Sequence, residues 1–112
     1  MDQSAVPLEI SVAEAHALLR AQADATRLID VREPAELAIC QLPGALAIPM
    51  RQIPAQFSKL PRDRHLLVLC HHGQRSLAVT QFLRAQGIAA VSNIAGGIEA
   101  WATEIDPTLE RY

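Results

Sequence analysis

Cys70 closes an apolar run and is followed by two histidines, a glycine, a glutamine and an arginine, in the stretch LLVLCHHGQRSLAV (66–79). Three chemistries fit those residue types. Cys70 is a small apolar residue ending a buried strand, a metal ligand together with His71 and His72, or a nucleophile held in a loop. The metal reading is the weakest on spacing. Cys70, His71 and His72 are consecutive, whereas zinc ligands come as pairs a few residues apart, and no second pair exists. His16 and His65 stand alone, one in a helical pattern and one at a strand start, and read as structural or solvent-facing. No metal site is expected.

The nucleophile reading draws on position. Cys70 follows HLLVL (65–69), the most continuous apolar run and the natural central strand. Ligands of open α/β sheets bind beyond the carboxyl ends of the strands. A helix is expected to open near Arg75 and Ser76. Its free N–H groups and its dipole favour negative charge, and the Arg75 guanidinium adds to them. A thiolate is such a charge. Gly73 permits backbone angles that a side chain forbids.

Other elements must position this loop. Residues 10–22 read as an amphipathic helix with Ser11 and Glu14 as a capping box and Val12, Ala15, Leu18 and Leu19 on one face. RLIDV (27–31) reads as a buried strand, and Pro34 suits the first turn of a short helix through residue 39. Pro43-Gly44 marks a turn before a short strand at 45–48, stopped by Pro49. A short helix is expected within 50–60, where Pro54 restricts its start. A further helix is expected over 76–86 with Gly87 at C′, then a strand within 88–94 and a last helix carrying Trp101 as a core residue. Gly96-Gly97 lacks the rest of a phosphate-binding loop and reads as a turn or a close backbone contact. Strand and helix patterns alternate over short connections, the pattern of an α/β fold with a mostly parallel sheet covered on both faces.

Composition narrows the partners. The chain has 112 residues, half of them hydrophobic, with a formal charge of −2 and four aromatic residues, Phe57, Phe82, Trp101 and Tyr112. That suits one domain across 1–112, with a core over about 10–102 and a C-terminal tail at 104–112 lying on the surface. There is no basic field for nucleic acid or an anionic membrane, and no platform for stacking bases. The first ten residues carry no basic, apolar export pattern, and no run is long enough to span a bilayer. A reducing, cytoplasmic setting is expected, with Cys40 and Cys70 as free thiols. Cys40 is expected to be buried.

Three stretches together resemble the single-domain rhodanese, or thiosulfate sulfurtransferase, family: LIDVREPAEL (28–37) with LPGALAIP (42–49), CHHGQRS (70–76), and AGGIEAW (95–101). The resemblance implies a rhodanese-like fold, a five-stranded parallel sheet flanked by helices on both faces. It implies that Cys70 attacks the outer sulfur of a donor such as thiosulfate and becomes a persulfide. A thiophilic acceptor, cyanide or a thiol, then takes that sulfur in a double displacement. No metal or organic cofactor is implied. One departure is local: where the family often has Gly-His before Ile-Pro-Gly-Ala, this chain has Cys40-Gln41.

On that resemblance the loop residues His71, His72, Gly73, Gln74 and Arg75 line the substrate site. The N–H groups of 71–75 form a cradle for the persulfide anion, and Arg75 biases the pocket toward anionic donors. Asp30, Arg32 and Ser76 are supporting candidates. Arg32 either contacts substrate or forms a salt bridge that fixes its loop, and Asp30 accepts hydrogen bonds from a neighbouring loop. The stretch from Cys70 to Arg75 holds six residues. In the related dual-specificity phosphatases one more residue precedes the arginine and the loop cradles a larger phosphate. The shorter loop disfavours a cysteine-dependent phosphatase or an arsenate-handling enzyme. A sulfur-carrier or interaction module that exchanges persulfide with protein partners needs the same residues as the enzyme and stays open beside it.

Overall fold

The computed structural model describes residues 6–112. Five strands, β1 (Glu9–Ile10), β2 (Thr26–Asp30), β3 (Leu46–Ala47), β4 (His65–Leu69) and β5 (Val91–Ile94), form one parallel sheet in the order β1-β5-β4-β2-β3. Helices α1 (Val12–Ala21), α2 (Pro34–Leu37), α3 (Ile53–Gln56), α4 (Gln74–Ala85) and α5 (Gly97–Glu104) connect them. The expected α/β architecture with a five-stranded parallel sheet is what the chain adopts.

Period-two alternation along β4 divides the core in two. Leu66, Val68 and Cys70 face one apolar layer with Ile29, Val31, Val79 and Leu83. Leu67 and Leu69 face the other, with Leu28, Ile94, Val12, Ala15, Ile98 and Trp101. Cys70 is therefore the next inward position of the strand pattern, just past its last ladder residue. Because β4 is central and pairs with both β2 and β5, the carboxyl ends of all three strands converge on the loop that follows it.

Most helix starts follow the sequence cues. Ser11 caps α1 through the Glu14 amide while Glu14 Oε1 accepts from the Ser11 amide, a reciprocal box. Pro34 opens α2 at its first turn. The segment expected as one helix within 50–60 is broken into a 3₁₀ turn (Met50–Gln52), the single turn α3 and a second 3₁₀ turn (Phe57–Lys59). Pro54, at the start of α3, brings no N–H to a continuous ladder. Helix α4 starts at Gln74, two residues ahead of the expected position, because Gly73 at φ +98° reverses the chain as its N-cap.

At the carboxyl end of β2 the chain buries an ion pair. Arg32 and Asp30 are both 0% exposed. The Arg32 guanidinium meets Asp30 through Nε and Nη2 at 2.9–3.1 Å, and the Arg32 amide also donates to Asp30 Oδ1 at 3.0 Å. Nη2 donates on to the Cys40 carbonyl at 2.8 Å. Arg32 thus takes the salt-bridge role that was one of its two expected roles, and Asp30's partner is Arg32 rather than a neighbouring loop. Cys40 is half-buried, not buried, and packs against the α1–α5 layer, whereas Cys70 lies in the opposite layer.

Arg32→Ala is expected to lower stability by about 3–5 kcal/mol, since it leaves the Asp30 carboxylate buried without its partner. Chemical denaturation followed by the fluorescence of Trp101, 5% exposed in the core, measures it.

Candidate active site

Two helix N-termini meet at the loop after β4: α5 donates to its carbonyls and α4 to the Cys70 sulfur. From outside, α5 takes the carbonyls: the Ile98 amide donates to Cys70 O at 2.9 Å and the Glu99 amide to His71 O at 3.0 Å. This approach is so close that a Cβ on Gly97, at φ +60°, would run into both carbonyls. Asn93 Nδ2, fully buried at the end of β5, binds the Gly73 carbonyl at 3.0 Å and is itself held by Glu9 Oε2 at 2.9 Å. Gly73 packs tightly too, since a Cβ there would sit 2.9 Å from the Gly96 amide nitrogen.

From inside, α4 takes the sulfur. Cys70 Sγ accepts from the Gly73 amide at 3.1 Å, the Ser76 hydroxyl at 3.2 Å and the Ser76 amide at 3.4 Å. Ser76 stands at the third helical position, where an N–H has no partner within the helix. Leu77 makes the first α4 bond, to Gly73 O at 3.2 Å. Three donors and a helix N-terminus converge on a sulfur that is 1% exposed, an arrangement suited to a sulfur anion. Of the amides 71–75, Gly73 alone donates to Sγ; the second amide comes from Ser76, because α4 starts early.

Arg75 does not stand free. Its Nη1 and Nη2 bind the two carboxylate oxygens of Glu36 at 2.8 Å each, a bidentate fork. Glu36 also accepts from the Glu33 amide at 2.9 Å and from the Tyr112 hydroxyl at 2.8 Å. The hydrogen bonds from Arg75, helped by those two donors, hold the Glu36 carboxyl at a pKa of about 2 against the opposing effect of burial. Glu36 in turn raises the Arg75 pKa. The Tyr112 hydroxyl accepts from Arg32 Nη1 at 3.0 Å, so the buried Asp30–Arg32 pair anchors the series Arg32, Tyr112, Glu36, Arg75.

The two histidines stack at 3.8 Å, and the Tyr112 ring stacks on His71 at 3.8 Å. Burial, reinforced by His72, lowers the His71 pKa despite the nearby Glu36 and Glu99 carboxylates, which favours the neutral ring. Adjacent in sequence, the two histidines were not expected to share a ligand, yet ligand-type atoms of His71, His72 and Glu99 lie within 4.8 Å of one another. The Glu99 carboxylate is engaged by the Arg111 guanidinium. His72 and Gln74 are exposed.

The structure brings Cys70, Gly73 and Ser76 into contact, places His71, His72 and Arg75 around them, and sets Asp30 and Arg32 behind the site as its frame. Sequence reading missed Glu36, Asn93 and Tyr112. Glu36 offered the signal of a carboxylate opening a short helix beside the Asp-x-Arg segment. Asn93 carried only its place at a strand end, and Tyr112 carried no signal at all. The segment after α5 lies on the surface as expected, but it also returns to the site.

The rhodanese-like domain family matches residues 11–104. The chain belongs to this family. It is 44% identical over 75 residues to a sulfurtransferase of Allochromatium vinosum, across 67% of this chain and 70% of that protein. It is 40% identical over 110 residues to the Arabidopsis thaliana rhodanese-like/PpiC domain-containing protein 12, chloroplastic, across 93% of this chain but 37% of that protein. This rhodanese therefore spans little more than a third of the plant relative. The solved structure of the human single-domain sulfurtransferase TSTD1 is similar with a TM-score of 0.75 at 33% identity, covering 88% of this chain and 98% of that one. By that kinship the chain is a rhodanese-family sulfurtransferase. Among the described residues, no helix of this rhodanese is long and apolar enough to cross a membrane.

Gly97→Ala is expected to push the Cys70 and His71 carbonyls off α5 and to lower the melting temperature; an unchanged melting curve would contradict the close approach. Glu36 makes a second prediction. Its folded pKa is below the ordinary 4.5, so its stabilisation is complete above that range and is lost as pH falls toward about 2. The melting-temperature gap between the wild type and Glu36→Gln should accordingly shrink across that acid window.

Proposed function

We propose that this rhodanese moves a sulfane sulfur from thiosulfate or another persulfide donor to a thiophilic acceptor through a persulfide on Cys70. The observation that carries the reading is the set of three donors on Sγ, two of them from Ser76. In the first step the Cys70 thiolate attacks the outer sulfur of thiosulfate. A sulfur–sulfur bond forms to Sγ, the donor's own sulfur–sulfur bond breaks, and sulfite leaves with that electron pair. In the second step cyanide or a thiolate attacks the outer sulfur of the persulfide, and the Cys70 thiolate departs. Neither step consumes a net electron or requires a metal.

The donors on Sγ act in both steps. They stabilise the thiolate as attacking group and again as leaving group, and the α4 N-terminus supplies positive potential without a proton to lose. A Cys70 buried in the sheet layer suits a cargo of one atom.

An intact-mass spectrum after incubation with thiosulfate tests the reading. The expected result is a gain of one sulfur atom, reversed by cyanide and absent in Cys70→Ser. A gain that persists in Cys70→Ser, or no gain in the wild type with any sulfane donor, would overturn it. Ser76→Ala removes one hydroxyl donor from a charged sulfur and should slow loading by about ten- to a hundredfold, as read by the time course of the same mass change.

A further inference from the structure

We propose that Glu36 and Tyr112 set the donor specificity of the Cys70 site, holding Arg75 occupied so that the site disfavours dianionic donors and favours sulfane-sulfur carriers of lower charge. The proposal rests on the persulfide reading above and specifies its substrate class.

An unpaired arginine beside a reactive thiolate is an anion receptor. Here both terminal nitrogens of Arg75 are already committed to Glu36 at 2.8 Å, and the fork leaves no terminal nitrogen without a carboxylate oxygen. An incoming sulfonate-like group must displace that carboxylate. Displacement is opposed because Glu36 is held by four donors at once: two from Arg75, the Glu33 amide and the Tyr112 hydroxyl. The Tyr112 hydroxyl in turn accepts from Arg32, whose side chain is fully buried against Asp30. The clasp is therefore linked through Tyr112 and Arg32 to the end of β2, which a lone surface ion pair is not.

The charges sum to the same conclusion. Arg75 and Glu36 cancel, and the Cys70 thiolate leaves the site with one net negative charge. A dianion approaching it is repelled about twice as strongly as a monoanion at equal distance. Tyr112 contributes in another way as well: its ring stacks on His71, beside the loop, and Arg111 next to it engages Glu99 at the start of α5. The segment 111–112 is thus tied down on both sides of the site, with its phenol aimed at Glu36.

Thiosulfate and methanethiosulfonate form a matched pair of probes. Each delivers its outer sulfur to the Cys70 thiolate and releases the remainder, sulfite or methanesulfinate, with the electron pair, and they differ by one charge. The readout is the ratio of their loading efficiencies at Cys70, measured by intact mass at several donor concentrations. Glu36→Gln should raise the thiosulfate-to-methanethiosulfonate ratio about threefold or more, with the gain in the apparent KM for thiosulfate. Tyr112→Phe keeps the stacked ring and loses the hydrogen bonds, and should move the ratio the same way by less. A ratio unchanged or lowered in Glu36→Gln would overturn the proposal. If that variant does not fold, an unchanged ratio in Tyr112→Phe overturns it instead. Loading of the wild type with unaltered ratios in the variants removes the specificity role alone; failure of the wild type to load with either donor removes the persulfide reading and this proposal with it.

Discussion

The loop after β4 keeps its shape because its carbonyls are bound by elements outside it. Every peptide carries a donor and an acceptor on opposite sides, and a buried carbonyl without a partner is costly. Helix α5 removes that cost by donating its Ile98 and Glu99 amides to Cys70 O and His71 O. Gly97 makes the approach possible, since any side chain there would collide with both carbonyls. The two glycine-bearing stretches, CHHGQRS and AGGIEAW, are thus one device. They meet because β4 and β5 are neighbours in the sheet and end together. Asn93 completes the device by binding the Gly73 carbonyl, while the Gly73 amide donates to Sγ.

Electrostatics around the sulfur follow from the same economy of direction. The α4 N-terminus offers partial positive charge that is fixed in place by backbone geometry. Arg75 offers a full charge, but a carboxylate already matches it. Dipoles and hydrogen bonds thus act on Sγ beside a guanidinium that is itself paired, and Arg75 also locates Glu36. Glu36 in turn connects the loop to Tyr112 and, through it, to the buried Arg32. A buried ion pair such as Asp30–Arg32 is weak evidence for stability, since desolvation opposes its Coulomb attraction. Its value here is positional: it fixes the end of β2, the carbonyl of Cys40 and the Tyr112 hydroxyl in one arrangement.

Much of this was legible in the residues themselves, and the illegible part has a common cause. Strand β4 over 65–69, the Ser11–Glu14 box and the Pro34 helix start are local signals, set by periodicity or by contacts within four residues, and all three appear in the fold. So does the placement of Cys70 at a strand end facing a helix start. The alternation of strand and helix patterns indicated a mostly parallel sheet, the resemblance in three separated stretches added the count of five strands, and their order is visible only in the fold. What escaped was non-local. Arg75 looked free because its partner, Glu36, lies 39 residues away in sequence. The Tyr112–Arg32 contact spans 80 residues. Asn93 looked like any polar strand residue because its target, the Gly73 carbonyl, is a backbone atom. The early start of α4 was missed because the freedom noted at Gly73 did not fix which residue after it begins the helix, and that start delivers the Ser76 amide to Sγ.

A buried thiol and a reactive thiol ordinarily pull in opposite directions, because burial disfavours the charged form. At Cys70 the two are reconciled by where the sulfur sits in the strand pattern. It is the last inward position of β4, so its Cβ and carbonyl are packed in the sheet layer while the chain beyond it has already turned into the α4 N-terminus. The sulfur loses water but gains three donors in a fixed geometry, the substitution of a preorganised shell for a mobile one. Under the persulfide reading this also limits the cargo. A second sulfur bonded to Sγ would be enclosed by the same short loop of six residues. A tetrahedral oxyanion would need more donors than a single sulfur does, and a short loop whose arginine is paired with Glu36 is the poorer fit for it.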